Sequence, residues 1–361
     1  WTEGEPPTCF AAQMVFILRI FSVTVLLFRP ASPSPQLPPA APPSLPPIGP
    51  PTEKGTADPS PSQPADIFGD QHLVLAHGGR ADFRGDAGGI YCLLSEKNLT
   101  VNGRIEPTTF FKWNLRVHGS CFTDIFIVLR SLSGAFVKVE LAANAPPVML
   151  HSPGGATPLY EGKKFSSDGG ITVEAVGPDS VIVLTPTWRI EARSVPIPYV
   201  AELRKRQISI RLMPVTDPLS DGVAPHGLLG QSWDGDDLAV DGQLDQLGDL
   251  KRSATERIND HYDVWTMAQA EGAIEGTGSD YKVAGLFETN FPFSRFDALY
   301  APPRDTSKLT GRKHRVPGMT ANLLATAGTL GDDTFLKEDQ MRAASRKLDG
   351  EKGHATVDDA M

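Results

Sequence analysis

Cysteine is nearly absent. The 361 residues carry three, at positions 9, 92 and 121, too few for a disulfide-stapled scaffold or a thiolate metal cluster. The eight histidines (72, 77, 118, 151, 226, 261, 314 and 354) show no His-x-x-x-His or similar spacing, so a zinc site has little support. An excess of positive charge is also missing. The 34 Lys and Arg stand against 43 Asp and Glu, a formal net charge of −9, which argues against a nucleic-acid groove. No apolar run reaches the roughly 20 residues that a membrane-spanning helix needs. Helix-period segments are lacking over most of the chain, and 32 prolines with 34 glycines exclude a helical bundle.

What is present is unevenly spread. After Met14, Arg19 precedes the apolar run Ile20 to Phe28, a positive n-region before a core of signal-peptide length. A hydrophobic strand or short signal anchor is the competing reading. No small-x-small cleavage site stands out, since Ala31 and Ser32 run into Pro33. Residues 1–29 are thus read as a leader with a signal peptide from Met14, and Trp1 to Gln13 as translated leader. Residues 30–65 are dominated by Pro, Ser and Ala. Such a segment cannot bury apolar area and prefers extended polyproline II, which makes it a stalk or linker. In a secreted chain it resembles the hydroxyproline-rich stalks of plant-type wall proteins; an unmodified linker is the plainer alternative.

Order is expected from about Asp66 to Tyr300. Asp70–Leu75 and Ala81–Phe83 read as two strands across a His77-Gly78-Gly79 turn. Ile90–Leu94, Leu99–Ile105 and a partly alternating Phe110–Val117 follow, then a hairpin of Phe122–Leu129 and Phe136–Leu141. Ala145–Gly162, rich in proline and glycine, reads as a loop. Strands resume at Ile171–Val176, Val181–Leu184, Trp188–Ala192 and Gln207–Met213. About ten short strands without helical segments between them predict an all-β fold, an antiparallel β-sandwich or barrel. Phe287, Phe291, Phe293 and Phe296 are expected to seal one end. Residues 301–361, polar and basic at first, read as a mostly disordered tail with one short amphipathic helix over Thr334–Leu348.

The densest chemistry lies in His226–Asp241. A glycine-punctuated apolar turn runs into Asp234, Asp236 and Asp237, with Asp241 close behind. Clustered carboxylates repel one another unless they are solvated or share a cation, and hard oxygen ligands on a flexible loop suit calcium better than zinc. Calcium and a plain solvated turn are both open. The spacing is not that of an EF-hand.

Two stretches resemble a known family. Gly69-Asp70-Gln71-His72, Ala81-Asp82-Phe83-Arg84-Gly85 and Ile90-Tyr91-Cys92-Leu93-Leu94 resemble the opening of von Willebrand factor type D domains. Gly227-Leu228-Leu229-Gly230-Gln231 with its acidic continuation is similar to that family's later Gly-Leu-Cys-Gly-Asn turn. His226–Gln231 and Asp280-Tyr281-Lys282-Val283 also resemble the C-terminal domain of inter-alpha-trypsin inhibitor heavy chains. The resemblance implies a calcium site at Asp234, Asp236 and Asp237. Leu229 stands where the family has a cysteine, so disulfide-linked multimerisation does not carry over. Gln71 replaces the family's proline, so Asp-Pro cleavage is not expected at Asp70.

Other residues yield narrower expectations. Cys92 and Cys121 are candidates for one disulfide in an oxidising compartment, against two buried thiols. Asn98-Leu99-Thr100 is a glycosylation sequon. His77-Gly78-Gly79 resembles an esterase oxyanion-hole motif, and Gly230-Gln231-Ser232-Trp233-Asp234 comes one residue short of a Gly-x-Ser-x-Gly elbow. The carboxylates after Ser232 would oppose a developing oxyanion. The expected protein is therefore a secreted or cell-wall-associated, non-catalytic structural or binding module. Its partners would be extracellular proteins or glycans, with calcium as the candidate cofactor and no stable membrane span in the mature protein. A serine hydrolase using Ser232 and an intracellular scaffold without a signal peptide are the rivals.

Overall fold

The computed structural model describes residues 64–315, apart from positions 70, 113, 146, 198–199, 201–204, 247–248, 252–253, 255–256 and 259–260. The signal peptide, residues 30–63 of the stalk and the Thr334–Leu348 helix lie outside the described residues. The strands in sequence order are β1 (Ala65–Phe68), β2 (His72–Val74), β3 (Arg80–Asp82), β4 (Ile90–Glu96), β5 (Leu99–Lys112), β6 (Leu115–Arg130), β7 (Phe136–Ala142), β8 (Val148–Ser152), β9 (Gly155–Leu159), β10 (Lys164–Ser167), β11 (Ile171–Gly177), β12 (Ser180–Leu184), β13 (Trp188–Pro196), β14 (Arg206–Pro214), β15 (Ala239–Asp241), β16 (Arg257–Ile258), β17 (His261–Trp265), β18 (Lys282–Val283) and β19 (Arg312–His314). Among the described residues no helix is long and apolar enough to cross a membrane.

The protein is a β-sandwich. One sheet runs β10-β11-β12-β13-β14-β1-β2-β3 and the other β18-β4-β5-β6-β7-β8-β9. Strands within each sheet pair antiparallel, while β17 joins the flank of β6 in parallel. Period-2 alternation decides which side chains meet. Val181 and Val183, Ile190 and Ala192, and Ile208, Ile210 and Leu212 turn inward from the first sheet. Val101, Ile125, Ile127, Leu129, Val139 and Leu141 meet them from the second, in one continuous buried cluster. Each fully buried aliphatic side chain contributes roughly 1.5–3 kcal/mol. Strand β6 is buried on both faces from Ile125 to Leu129. On its outward side the Phe287 ring packs edge-on against Phe126 at 5.5 Å. Phe291 and Phe296 are buried, and Phe293 packs against the core.

Four local expectations are corrected. Phe110–Val117 is not one strand but the far end of the β5–β6 hairpin, with Phe110 opposite Val117. A two-residue reversal preserves the apolar–polar alternation, so sequence period alone does not reveal it. Ala145–Gly162 is not loop throughout; it holds β8 and β9, an exposed edge where Pro158 is tolerated. The ordered region also runs past Tyr300. Ala301 is buried, and Arg312–His314 pairs with β15. At the other end the linker stops short of residue 65, since Ala65 is fully buried in β1.

Candidate functional site

The His226–Asp241 stretch is held against the one side of β4 that β5 does not occupy. Strand β18 pairs with Ile90 and Tyr91 there, and the glycine turn takes the remainder. Leu228 N donates to Cys92 O and Leu229 N to Leu93 O, both at 2.9 Å. Ser95 and His226 exchange both backbone bonds, at 2.7 and 2.8 Å. Gly227 has φ +107°, and a Cβ there would lie 2.6 Å from Leu93 O. Both the torsion and the approach demand glycine. Leu229 is fully buried in the core.

Beneath the turn lies a closed polar knot. The Gln231 amide donates to Gly227 O at 3.0 Å and to the Tyr281 hydroxyl at 2.8 Å, and its Oε1 accepts from Glu275 N at 2.8 Å. Tyr281 in turn donates to Glu275 O at 2.7 Å. The Gln231 and Asp280-Tyr281 stretches, fifty residues apart in sequence, therefore meet. His226 stacks on Phe293 at 4.5 Å; its Nδ1 accepts from Gly227 N, so Nε2 carries the proton toward Glu275. Burial, reinforced by Arg295 and Arg304, pushes its pKa down to about 3 and keeps the ring neutral. Ser232 is fully buried. Its hydroxyl donates to Leu229 O at 2.7 Å and accepts from Ala76 N at 3.0 Å, so it fastens the turn rather than facing a base. His77-Gly78-Gly79 is a short turn packed on β15, where a Cβ on Gly79 would fall 2.4 Å from Val240 O.

The four aspartates do not converge. Arg304 Nε meets Asp234 Oδ2 at 2.7 Å with both side chains 1% exposed, and Arg304 Nη1 also donates to Ala273 O at 2.7 Å. Thr306 Oγ1 donates to Asp236 Oδ2 at 2.7 Å, and Arg315 Nε to Asp237 Oδ1 at 3.0 Å. Arg312 Nη2 reaches Asp241 Oδ2 at 2.9 Å, while Arg80 N donates to Asp241 Oδ1 at 3.1 Å. Calcium takes six to eight converging oxygens. Among the described residues no three His, Cys, Asp or Glu side chains gather as a metal site would need. These carboxylates thus do not fit the calcium cage that the resemblance implied. Arginines of the protein itself neutralise Asp234, Asp237 and Asp241, and the Thr306 hydroxyl bonds Asp236. Burial raises the Asp234 pKa to about 6 against the opposing pull of Arg304. His77, beside the cluster, is pushed down by burial, with Asp236 opposing.

Cys92 and Cys121 are buried and not joined to each other. They stand on β4 and β6 with β5 between them, opposite Asn102 and Glu106 respectively. Two strand spacings, roughly 9–10 Å, exceed the Cα separation of about 7 Å that a disulfide spans. Asn98 takes the left-handed corner of the β4–β5 hairpin at φ +63° and is half-buried. Its Oδ1 accepts from Arg130 at 3.4 Å. The opposite charges of residues 234–241 and Arg312–Arg315 were a sequence signal that bore on this pairing, without saying that the two stretches meet. Arg304 and the buried Glu96 carried no such signal.

The sequence matches no protein-family model and no curated protein.

Proposed function

We propose that this β-sandwich is a non-catalytic binding or structural module that works outside the cell, engaging extracellular proteins or glycans. The support is the way its polar motifs are spent. His226, Gln231, Ser232 and Asp234 are all buried and bonded within the protein. Large apolar side chains such as Trp265, Met267 and Tyr300 meanwhile lie 48%, 64% and 76% exposed. A module of this kind recognises partners through a rigid surface rather than a reaction centre. The resemblance to type D domains and to the C-terminal domain of inhibitor heavy chains points the same way. With Asn98 Oδ1 turned to Arg130, the side-chain nitrogen is the atom left for a glycan.

Expression of the full-length protein in secreting eukaryotic cells tests this reading. The expected result is release into the medium, with Asn98 glycosylated and prolines of residues 30–65 hydroxylated, read by mass spectrometry of the mature protein. Retention in the cytosol with Asn98 unmodified would sink it. A fluorophosphonate probe is expected to leave Ser232 unlabelled, because the hydroxyl is enclosed; labelling would revive a hydrolase.

A further inference from the structure

Strand β17 has two unlike faces. Tyr262 and Val264 turn into a small cluster with Leu115 and Val117 of β6. Asp263 and Trp265 fall on the other face, where Trp265 is register partner to His118. The two rings are stacked, with centroids 4.6 Å apart and 19° between their planes. His118 is itself fixed, Nδ1 against Thr109 Oγ1 at 3.1 Å and Nε2 against Asp263 Oδ1 at 3.3 Å. Asp263 is buried to 8% exposure, with Arg116 3.8 Å away. Trp265 therefore rests on a ring that cannot easily turn, yet stays 48% exposed.

Past the end of β17, Met267 and Gln269 line an open cleft of about 330 Å³ together with Arg84, Asp86, Pro107 and Ser120. Its lining carries one base and one acid, Arg84 and Asp86. Arg84 Nη1 donates to Thr266 O at 2.5 Å, and Asp86 meets Lys282 at 3.0 Å. Gln269 Oε1 accepts from Gly85 N at 3.3 Å, which leaves its amide hydrogens to donate. A flat, backed aromatic face beside a polar, charge-balanced cleft suits a ligand with one apolar face and many hydroxyls. With Arg84 and Asp86 in the same lining, the cleft offers an anion no net positive charge. A protein partner would require a broader apolar core than a single indole and one methionine.

We propose that Trp265, backed by His118, and the adjoining cleft bind a neutral oligosaccharide, with one sugar ring laid on the open indole face. Its hydroxyls then bond to Gln269 and Asp86. The site rests on the reading of the protein as an extracellular binding module and narrows its partner to glycans.

Calorimetric and fluorescence titration of the full-length protein with cellohexaose, xylohexaose, mannohexaose and chitohexaose tests it. At least one is expected to bind with Kd at or below about 1 mM. Trp265→Ala should weaken that binding about tenfold or more, and Trp265→Phe only about two- to threefold. Phe68→Ala, at an exposed aromatic elsewhere, should leave it unchanged. Unaltered circular dichroism of Trp265→Ala keeps loss of folding apart from loss of the site. Binding that survives Trp265→Ala overturns this site while leaving a glycan module standing. No binding of any of the four overturns the proposal, and so does retention of a defined extracellular protein that Trp265→Ala abolishes in their absence. Failure of secretion, measured separately, would remove the broader reading instead.

Discussion

Glu96 is the most consequential single residue outside the turn. It closes β4, is only 5% exposed, and accepts a hydrogen bond from Trp188 Nε1 at the start of β13. One carboxyl thus ties the two sheets together. Burial, with Asp221 adding its charge and Trp188 opposing, raises its pKa to about 8. An unfolded glutamate titrates near 4.3. Between those values the unfolded state releases a proton that the folded one keeps, so stability falls as pH rises through the window and levels off above about 8. Glu96→Gln preserves an acceptor for Trp188 and removes the titration. Urea unfolding from pH 4 to 9 should show the wild type losing on the order of a few kcal/mol across the window, and Glu96→Gln losing much less. Equal slopes in the two proteins would refute the assignment.

At the scale of elements, the acidic turn and residues 301–315 are two halves of one clasp, joined by β15 and β19. Its contacts differ in depth, and depth decides what they are worth. Arg304 and Asp234 are both 1% exposed, whereas Arg315 and Asp237 are 72% and 61% exposed. Removing one partner of the buried pair leaves a bare charge in the interior, so Asp234→Asn should cost about 3–5 kcal/mol. Asp237→Asn should cost under about 1 kcal/mol, and less at high salt. Chemical denaturation of both variants separates these cases, and equal losses would deny the depth argument. Because arginines hold Asp234, Asp237 and Asp241 and Thr306 holds Asp236, millimolar calcium should leave the melting temperature of the wild type unchanged. A rise of several degrees would restore the cation reading. The sequence showed both halves of this clasp as separate features, a calcium loop and a solvated tail. Local composition cannot reveal that two charged stretches seventy residues apart neutralise each other. The strands were legible because period-2 alternation survives wherever one face is buried. It failed at Lys112–Leu115, where a tight reversal keeps the period, and at β8–β9, where an exposed edge needs none.

The sandwich as a whole encloses β4, which has β5 on one side, the Gly227 turn and β18 on the other, and the buried cluster across its inner face. Cys92 sits in the middle of that enclosure, fully buried, with burial holding its thiol well above the ordinary cysteine range. An alkylating reagent reacts with the thiolate, so it needs both solvent access and ionisation. Neither is available until β4 loses its neighbours, and those neighbours belong to one continuous core rather than to a detachable flap. Labelling of Cys92 should therefore follow global unfolding, slowed at least about a thousandfold below an exposed thiol if the domain has ordinary stability. Timed iodoacetamide treatment, read by mass spectrometry of the peptide containing Cys92, measures this directly. Its rate should rise in step with the unfolded fraction as urea is added, and Asp234→Asn should shift that rise to lower urea. Native-state labelling at the rate of an exposed thiol would mean that the turn lifts from β4 on its own and that the clasp does not belong to the cooperative core.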